Sequence, residues 1–203
     1  MTCGVNELIS TLVGIAVFGF VTSVTPGPNN TYLLTSGMNF GVRKSLAYVN
    51  GIMAGLIIMF TAMYLGVGTL FKTYPIIQEV LKYAGFAYIL YMAYSIISSS
   101  FVHKHEQIER AGFFRATVFQ LVNPKAWIVL ISMVATYVGD ETDLTKVSLT
   151  LAVFLIATYP GAVIWAAFGE IMASWLSKPT YRRIFNISAA ILLVASMVPA
   201  LFL

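Results

Sequence analysis

The stretch VTPGPNN, residues 24–30, lies inside an apolar run that extends from position 8 to about position 38. Pro26 and Pro28 bring no amide hydrogen, and each ring clashes with the preceding helical turn, so a helix entering this stretch must open within it. Thr22, Ser23, Thr25, Asn29, Asn30 and Thr31 crowd the opening. A second interruption, VNPK at 122–125, falls in another apolar run, 113–138, with Gln120 and Asn123 before the proline and Lys125 after it. Irregular backbone at bilayer depth survives only where protein or a water-filled cavity satisfies it. Two broken membrane-spanning helices therefore organise the reading of the whole chain.

Composition supports that setting. Of 203 residues, 59% are hydrophobic and 10% charged, against about 25% charged in a soluble domain, and mean hydropathy is +0.84. A cytosolic enzyme and a nucleic-acid-binding protein are both disfavoured. Cys3 is the single cysteine, which permits neither an intrachain disulfide nor a thiolate metal cluster. The first apolar run is not followed by a small-residue cleavage site and a polar mature domain, so it reads as a span and not as a removable signal.

A spanning helix needs about 20 mostly apolar residues, and breaks at charge, Gly and Pro divide the chain into six such spans. They cover 8–38, 45–71, from Pro75 to 97, 113–138, from 147 into the 170s, and 185–203. The polar stretch SSSFVHKHEQIERAG, 98–112, is expected to be a cytoplasmic loop between two halves, 1–97 and 113–203. Lys and Arg stay on the cytoplasmic side. Loops after the odd-numbered spans hold eight of them (Arg43, Lys44, Lys104, Arg110, Arg115, Lys178, Arg182, Arg183), and the opposite side holds three (Lys72, Lys82, Lys146). Both termini are accordingly placed outside the cytoplasm, and Trp175 and Tyr181 suit an interfacial belt on the inner side.

The halves repeat one another. PNNTYLLTSG (28–37) aligns with PKAWIVLISM (124–133), and LKYAGFAYIL (81–90) follows the hydropathy of FNISAAILLV (185–194). Three spans per repeat force the second copy to enter from the opposite side, so the fold class is all-α, two inverted three-helix repeats with helices one and four broken, an architecture of secondary transporters.

Pro124 has about 12 residues before it and about 14 after it in its span, which puts the break near the bilayer centre. The breaks are expected to meet there. Helix N-termini resuming at Asn29 and Lys125 would turn unpaired N–H groups and positive dipole ends toward an anion such as a carboxylate. Lys125 would add a full charge. A substrate site or translocation pathway is thus expected at Thr25, Pro26, Gly27, Pro28, Asn29, Asn30, Gln120, Asn123, Pro124 and Lys125. Plainer readings stand beside it: one proline is often a mere kink, and a lysine can snorkel. Glu170, near the inner end of span five, and Glu79 are the acids available for proton coupling, although Glu170 also suits a solvated interface, and Glu79 suits a surface pair with Lys82. His103 and His105 lack the further ligands of a metal site, and no metal or cofactor is expected. The sequon NNT, 29–31, is buried in a span. Gly51, Gly55, Gly66 and Gly68 are read as close-packing positions.

TPGPNN in the first span, FGVRKS opening the second, LKYAGFAYILYMAY in the third and FQLVNPKAW in the fourth together resemble the LysE/RhtB family of bacterial amino-acid exporters. The likeness covers essentially the whole chain. Its pattern falls on Thr25, Pro26, Gly27, Pro28 and Asn29, on Gly41, on Lys82, Gly85 and Tyr88, and on Asn123, Pro124 and Lys125. Asn30 and FQLVN look closest to the branch that exports cysteine and O-acetylserine. The resemblance implies a six-helix, secondary-active efflux protein of the bacterial inner membrane, driven by protons, whose cargo is a small amino acid or derivative. Glu79 and Glu170 are the only acids available to balance a cationic side chain, so a neutral cargo fits better. The lack of a cysteine cluster argues against the cadmium-exporting relatives. The rival reading is an ion channel or ion transporter that uses the same broken helices. An enzyme is not expected, because the chain shows no Ser/His/Asp set, HExxH or paired intramembrane aspartates. Homodimerisation through glycine-bearing helix faces is a further expectation.

Overall fold

The computed structural model describes residues 2–67, 108–139, 142–175 and 178–195, with single helical or extended positions between 73 and 97. Gly68, Lys82, Gly85, Tyr88, His103 and His105 lie outside the described residues. All regular structure among the described residues is helical. In order it comprises α1 (Thr2–Val24), α2 (Pro28–Ala62) with a π-helical extension (Met63–Val67), α3 (Ile108–Val122), α4 (Pro124–Met133) with a second π-helical extension (Val134–Val138), α5 (Leu144–Met172) and α6 (Pro179–Ala195).

α2 is two arms folded back on each other at Gly41, whose φ of 78° belongs to a region open to glycine. Sequence separation and distance prove the reversal. Ser36 Oγ lies 2.8 Å from Ser45 Oγ, and the Tyr32 and Tyr48 rings stack with centroids 4.0 Å apart. A straight helix would hold each pair more than about 13 Å apart. The first arm, 28–40, completes the first span, and the second, 42–62, is span two.

α1 and the first arm of α2 both pack along α5. Gly19 faces Phe154 and Thr158, Ser23 faces Gly161, Gly37 faces Ala166, Leu34 and Met38 face Gly169, and Gly41 faces Glu170. From Gly19 with Phe154 to Gly41 with Glu170 the partners advance in the same overall direction, so α5 runs alongside both α1 and the first arm. Span two runs parallel to α3 in the same manner. Gly51 meets Phe113 and Ala116, Gly55 meets Thr117 and Gln120, and Thr117 Oγ1 donates to the Gly51 carbonyl at 3.1 Å. Gly51 and Gly55 are thus close-packing positions, with their faces spent inside the protomer. Gly66 differs. A side chain there would meet nothing within 4 Å, and its φ of +110° shows that conformation is its role.

The exterior is apolar, and the interior sets polar side chains among a larger apolar core. Ile9, Val13, Val17 and Val21 recur every four residues along α1, each more than half exposed. Asn30, Ser45, Gln120, Asn123, Thr150 and Thr158 are buried, and among the described residues every buried side-chain N or O atom has a partner. In water this arrangement would be inside out, whereas in lipid it satisfies every polar group. Asn6–Val24, Pro28–Gly66 and Leu144–Met172 are long and apolar enough to cross a membrane, and Gly112–Val122 with Pro124–Val138 forms a fourth such stretch bent by 68°. The expected third and sixth spans fall partly outside the described residues. Ala93 of the third and Ala189 and Ala190 of the sixth share one small cluster with Phe119 of α3. α3 begins at Ile108, inside the stretch read as loop, because Glu109, Arg110 and Ala111 are good helix formers that need no apolar face to extend a helix already anchored.

Candidate functional site

Each break leaves carbonyls without their helical donors, and the structure shows where the replacements come from. At the first, Thr25 N–H still reaches the Val21 carbonyl at 3.1 Å, and regular bonding resumes when Thr31 N–H reaches the Gly27 carbonyl at 2.9 Å. Gly27 is extended, and Pro28 opens the new helix in the one place where a missing N–H costs nothing. Asn30 Nδ2 turns back to the carbonyls of Ser23 at 2.6 Å and Thr25 at 2.7 Å. At the second break, Asn123 caps α4, its Oδ1 accepting from Lys125 N–H at 3.1 Å. The Leu121 carbonyl, which Lys125 N–H would otherwise serve, accepts from the Trp127 indole at 2.8 Å.

Two links then join the breaks. Lys125 Nζ donates to the Thr25 carbonyl at 2.7 Å and the Pro26 carbonyl at 3.1 Å. Asn29 and Gln120 form a reciprocal amide pair: Asn29 Nδ2 donates to Gln120 Oε1, and Gln120 Nε2 donates to Asn29 Oδ1, each at 3.0 Å. Gly27 lets the ammonium approach, since a Cβ there would stand 2.9 Å from Lys125 Cδ. Between the breaks lies a cavity of about 70 Å³ lined by Gly27, Pro28, Asn29, Asn30, Gln120, Asn123 and Lys125 together. That volume admits a few waters. Among the described residues Lys125 is the sole charged one in the lining.

Of the ten residues expected at the site, these seven line the cavity. Thr25 and Pro26 contribute carbonyls to Lys125, and Pro124 begins α4. Helix N-termini do point into the region, but the one at Pro124 is capped by Asn123. Glu170 is elsewhere. Its Oε2 accepts from Val42 N–H at 2.6 Å, capping the second arm of α2 just past Gly41, and it lies eight residues beyond Ala162, the nearest cavity residue on α5, or about 12 Å along the helix. Glu79 is exposed and does not line the cavity.

Sequence reasoning missed what spans two and five contribute: Ile52, Leu56, Phe154, Thr158 and Ala162 also line the cavity. Gly51 and Gly55, bracketing Ile52 on a face pressed against α3, were the available signal for span two, and Thr158 beside Pro160 was the signal for span five. Also missed were Tyr48, whose hydroxyl donates to Asn29 Oδ1 at 3.5 Å, and Arg115, whose guanidinium lies 5.5 Å above the Tyr32 ring. They extend the amide pair toward Gly41 as a stack.

Gln120 is wholly buried, so the amide pair predicts a stability effect. Gln120→Leu strips Asn29 of its amide partner and is expected to cost about 1–3 kcal/mol, read as a lowered unfolding midpoint of the detergent-purified protein. An unchanged midpoint would show the pair to be dispensable.

Residues 20–198 match the sequence model of the family described as LysE type translocator. The cysteine/O-acetylserine efflux proteins of Salmonella typhimurium and Escherichia coli K12 are each 30% identical to this chain over 182 residues, 87% of this chain and 90% of theirs. No solved structure matches. Both breaks and the cavity between them fall within the matched stretch, and the chain belongs to the LysE type translocator family.

Proposed function

We propose that the protein is a secondary-active exporter of the bacterial inner membrane, carrying small neutral amino acids or their derivatives outward in exchange for protons. Cysteine and O-acetylserine, the cargo named for its relatives, define the class. One observation carries the reading: polar groups at the two proline breaks converge on one cavity whose lining, among the described residues, holds a single charge, Lys125. A substrate carboxylate arriving there would take the ammonium from the Thr25 and Pro26 carbonyls, exchanging a link within the protein for one to the cargo. Alternating access needs such a swap, because a ligand moves a conformational equilibrium only through contacts that differ between the two states. A cationic cargo would meet Lys125 with no acid in the lining to offset it.

Six spans in two inverted repeats suit the packing. Exchanging the halves maps span one onto four and span two onto five, so the observed pairing of one with five becomes the observed pairing of four with two. The eight-to-three distribution of Lys and Arg supports termini outside the cytoplasm. Glu170 supports proton coupling through its position. Its carboxylate accepts from Val42 N–H beside the turn at Gly41 and so ties α5 to the second arm of α2. Glu170→Gln keeps an acceptor oxygen but cannot titrate. In proteoliposomes it is expected to lose stimulation of export by an imposed pH gradient, and full stimulation would leave Glu170 a cap and nothing more.

The function is tested by overexpression in a bacterial strain challenged with a panel of amino acids and acyl derivatives. Raised tolerance to a few neutral members, with matching accumulation in the medium that Lys125→Ala abolishes, is the expected result. Tolerance unchanged across the panel would refute it.

A further inference from the structure

A second and larger cavity lies on the face that carries the N terminus. The start of α1, the π-helical segment Val134–Val138 and the start of α5 border a partly open chamber of about 380 Å³, lined by exposed Glu7, Thr11 and Lys146 and by Tyr137 and Thr150 among aliphatic side chains. An aromatic layer separates it from the cavity at the breaks. Tyr137 belongs to the larger chamber and Phe154 to the smaller cavity. Phe18 touches both, with ring centroids 6.2 Å from Tyr137 and 6.4 Å from Phe154.

We propose that this chamber is a second substrate site in series with the first, taking a small zwitterion whose α-ammonium meets Glu7 and whose α-carboxylate meets Lys146, with Tyr137 as the movable partition between the two. The identity of the zwitterion rests on the export reading above. Three features support the site. Its volume falls in the range of small-molecule pockets, about 300–1,000 Å³. Its two charges are opposite in sign and come from different helices, α1 and α5, so a molecule carrying both charges is matched at each end while a simple cation or anion is repelled at one. A lipid acyl chain would strand the Thr150 and Tyr137 hydroxyls against hydrocarbon. The partition is also built to move. Tyr137 stands in a π-helical segment, a geometry common at functional sites, which ends at Gly139 with φ +53°. Gly14 presents no side chain to its ring, and a Cβ there would come within 3.3 Å of the Tyr137 hydroxyl.

Equilibrium binding of labelled O-acetylserine to the purified full chain in lipid nanodiscs tests this by stoichiometry. Two molecules are expected to bind per protomer. Glu7→Gln and Lys146→Gln should each weaken one of them about fivefold, and the Glu7→Lys/Lys146→Glu double variant should restore it, which separates loss of binding from loss of folding. Lys125→Ala should remove the other. N-acetylserine, which lacks the ammonium, should fail to displace the chamber-bound molecule. Binding of one molecule, lost in Lys125→Ala and untouched by the Glu7 and Lys146 variants, would overturn the chamber and leave the export reading intact. Binding of none would overturn both.

Discussion

Lys125→Ala is expected to slow export about a hundredfold, a loss of roughly 2.7 kcal/mol in transition-state stabilisation, while the protein still inserts and purifies as a folded species. The magnitude follows from what the ammonium does. It donates to the Thr25 and Pro26 carbonyls at 2.7 and 3.1 Å, and hydrogen bonds from a charged group are worth about 1.5–3 kcal/mol each. Losing them leaves two carbonyls of the first break with fewer donors at bilayer depth and removes the only charge in the cavity lining. Lys125→Arg should recover only part of the rate, because the planar guanidinium is broader than the ammonium and Gly27 allows close approach of a slim chain alone. Initial efflux rates from preloaded proteoliposomes measure both variants, and a wild-type rate in Lys125→Ala would remove Lys125 from the transport cycle.

Gly37→Ala is expected to cost about 3 kcal/mol or more, the upper end of overpacking penalties. A Cβ on Gly37 would fall well inside van der Waals contact of the Ala166 backbone carbonyl, and one on Gly169 would do the same to the Leu34 carbonyl. In both cases the obstacle is backbone, which cannot swing aside as a side chain can, so α5 would have to part from the first span. Gly112→Ala is the control: its nearest neighbour would be Tyr48 N at 3.9 Å, an ordinary contact, and the better helix propensity of alanine should leave stability unchanged or raised by up to about 1 kcal/mol. Thermal unfolding of the three purified proteins decides. Equal midpoints for Gly37→Ala and wild type would contradict the close parallel packing on which the broken span rests.

How much of this was legible in the sequence depends on the kind of signal. Proline announces itself, so the breaks at Pro26, Pro28 and Pro124 and the polar residues around them were readable, as was their convergence once the two stretches were aligned. Gly41 was legible only as an end of the first span, since nothing in FGVRKS fixes a φ of 78° or a hairpin that brings Tyr32 onto Tyr48. Gly37, next to the end of the 8–38 run, serves as a contact with Ala166, and hydropathy cannot distinguish a glycine that ends a helix from one that admits a neighbour. The glycine and alanine series at 161, 162, 166 and 169 on α5 was visible at helical spacing, yet its partner, the first span, comes from the other half of the chain. Glu170 was legible as an acid near a helix end, but its bond to Val42 N–H, 128 residues away, is set by packing alone. Likewise the chamber at Glu7 and Lys146 joins residues whose local sequence shows only a charge at each end of an apolar run.

The most direct test of the central claim is counterflow. Proteoliposomes holding the wild-type protein and an excess of unlabelled O-acetylserine should accumulate labelled O-acetylserine from outside, with a rate that saturates as external substrate rises and collapses in Lys125→Ala. Flux that rises linearly with concentration, carries inorganic ions equally well and is indifferent to Lys125 would instead mark the broken helices as a channel.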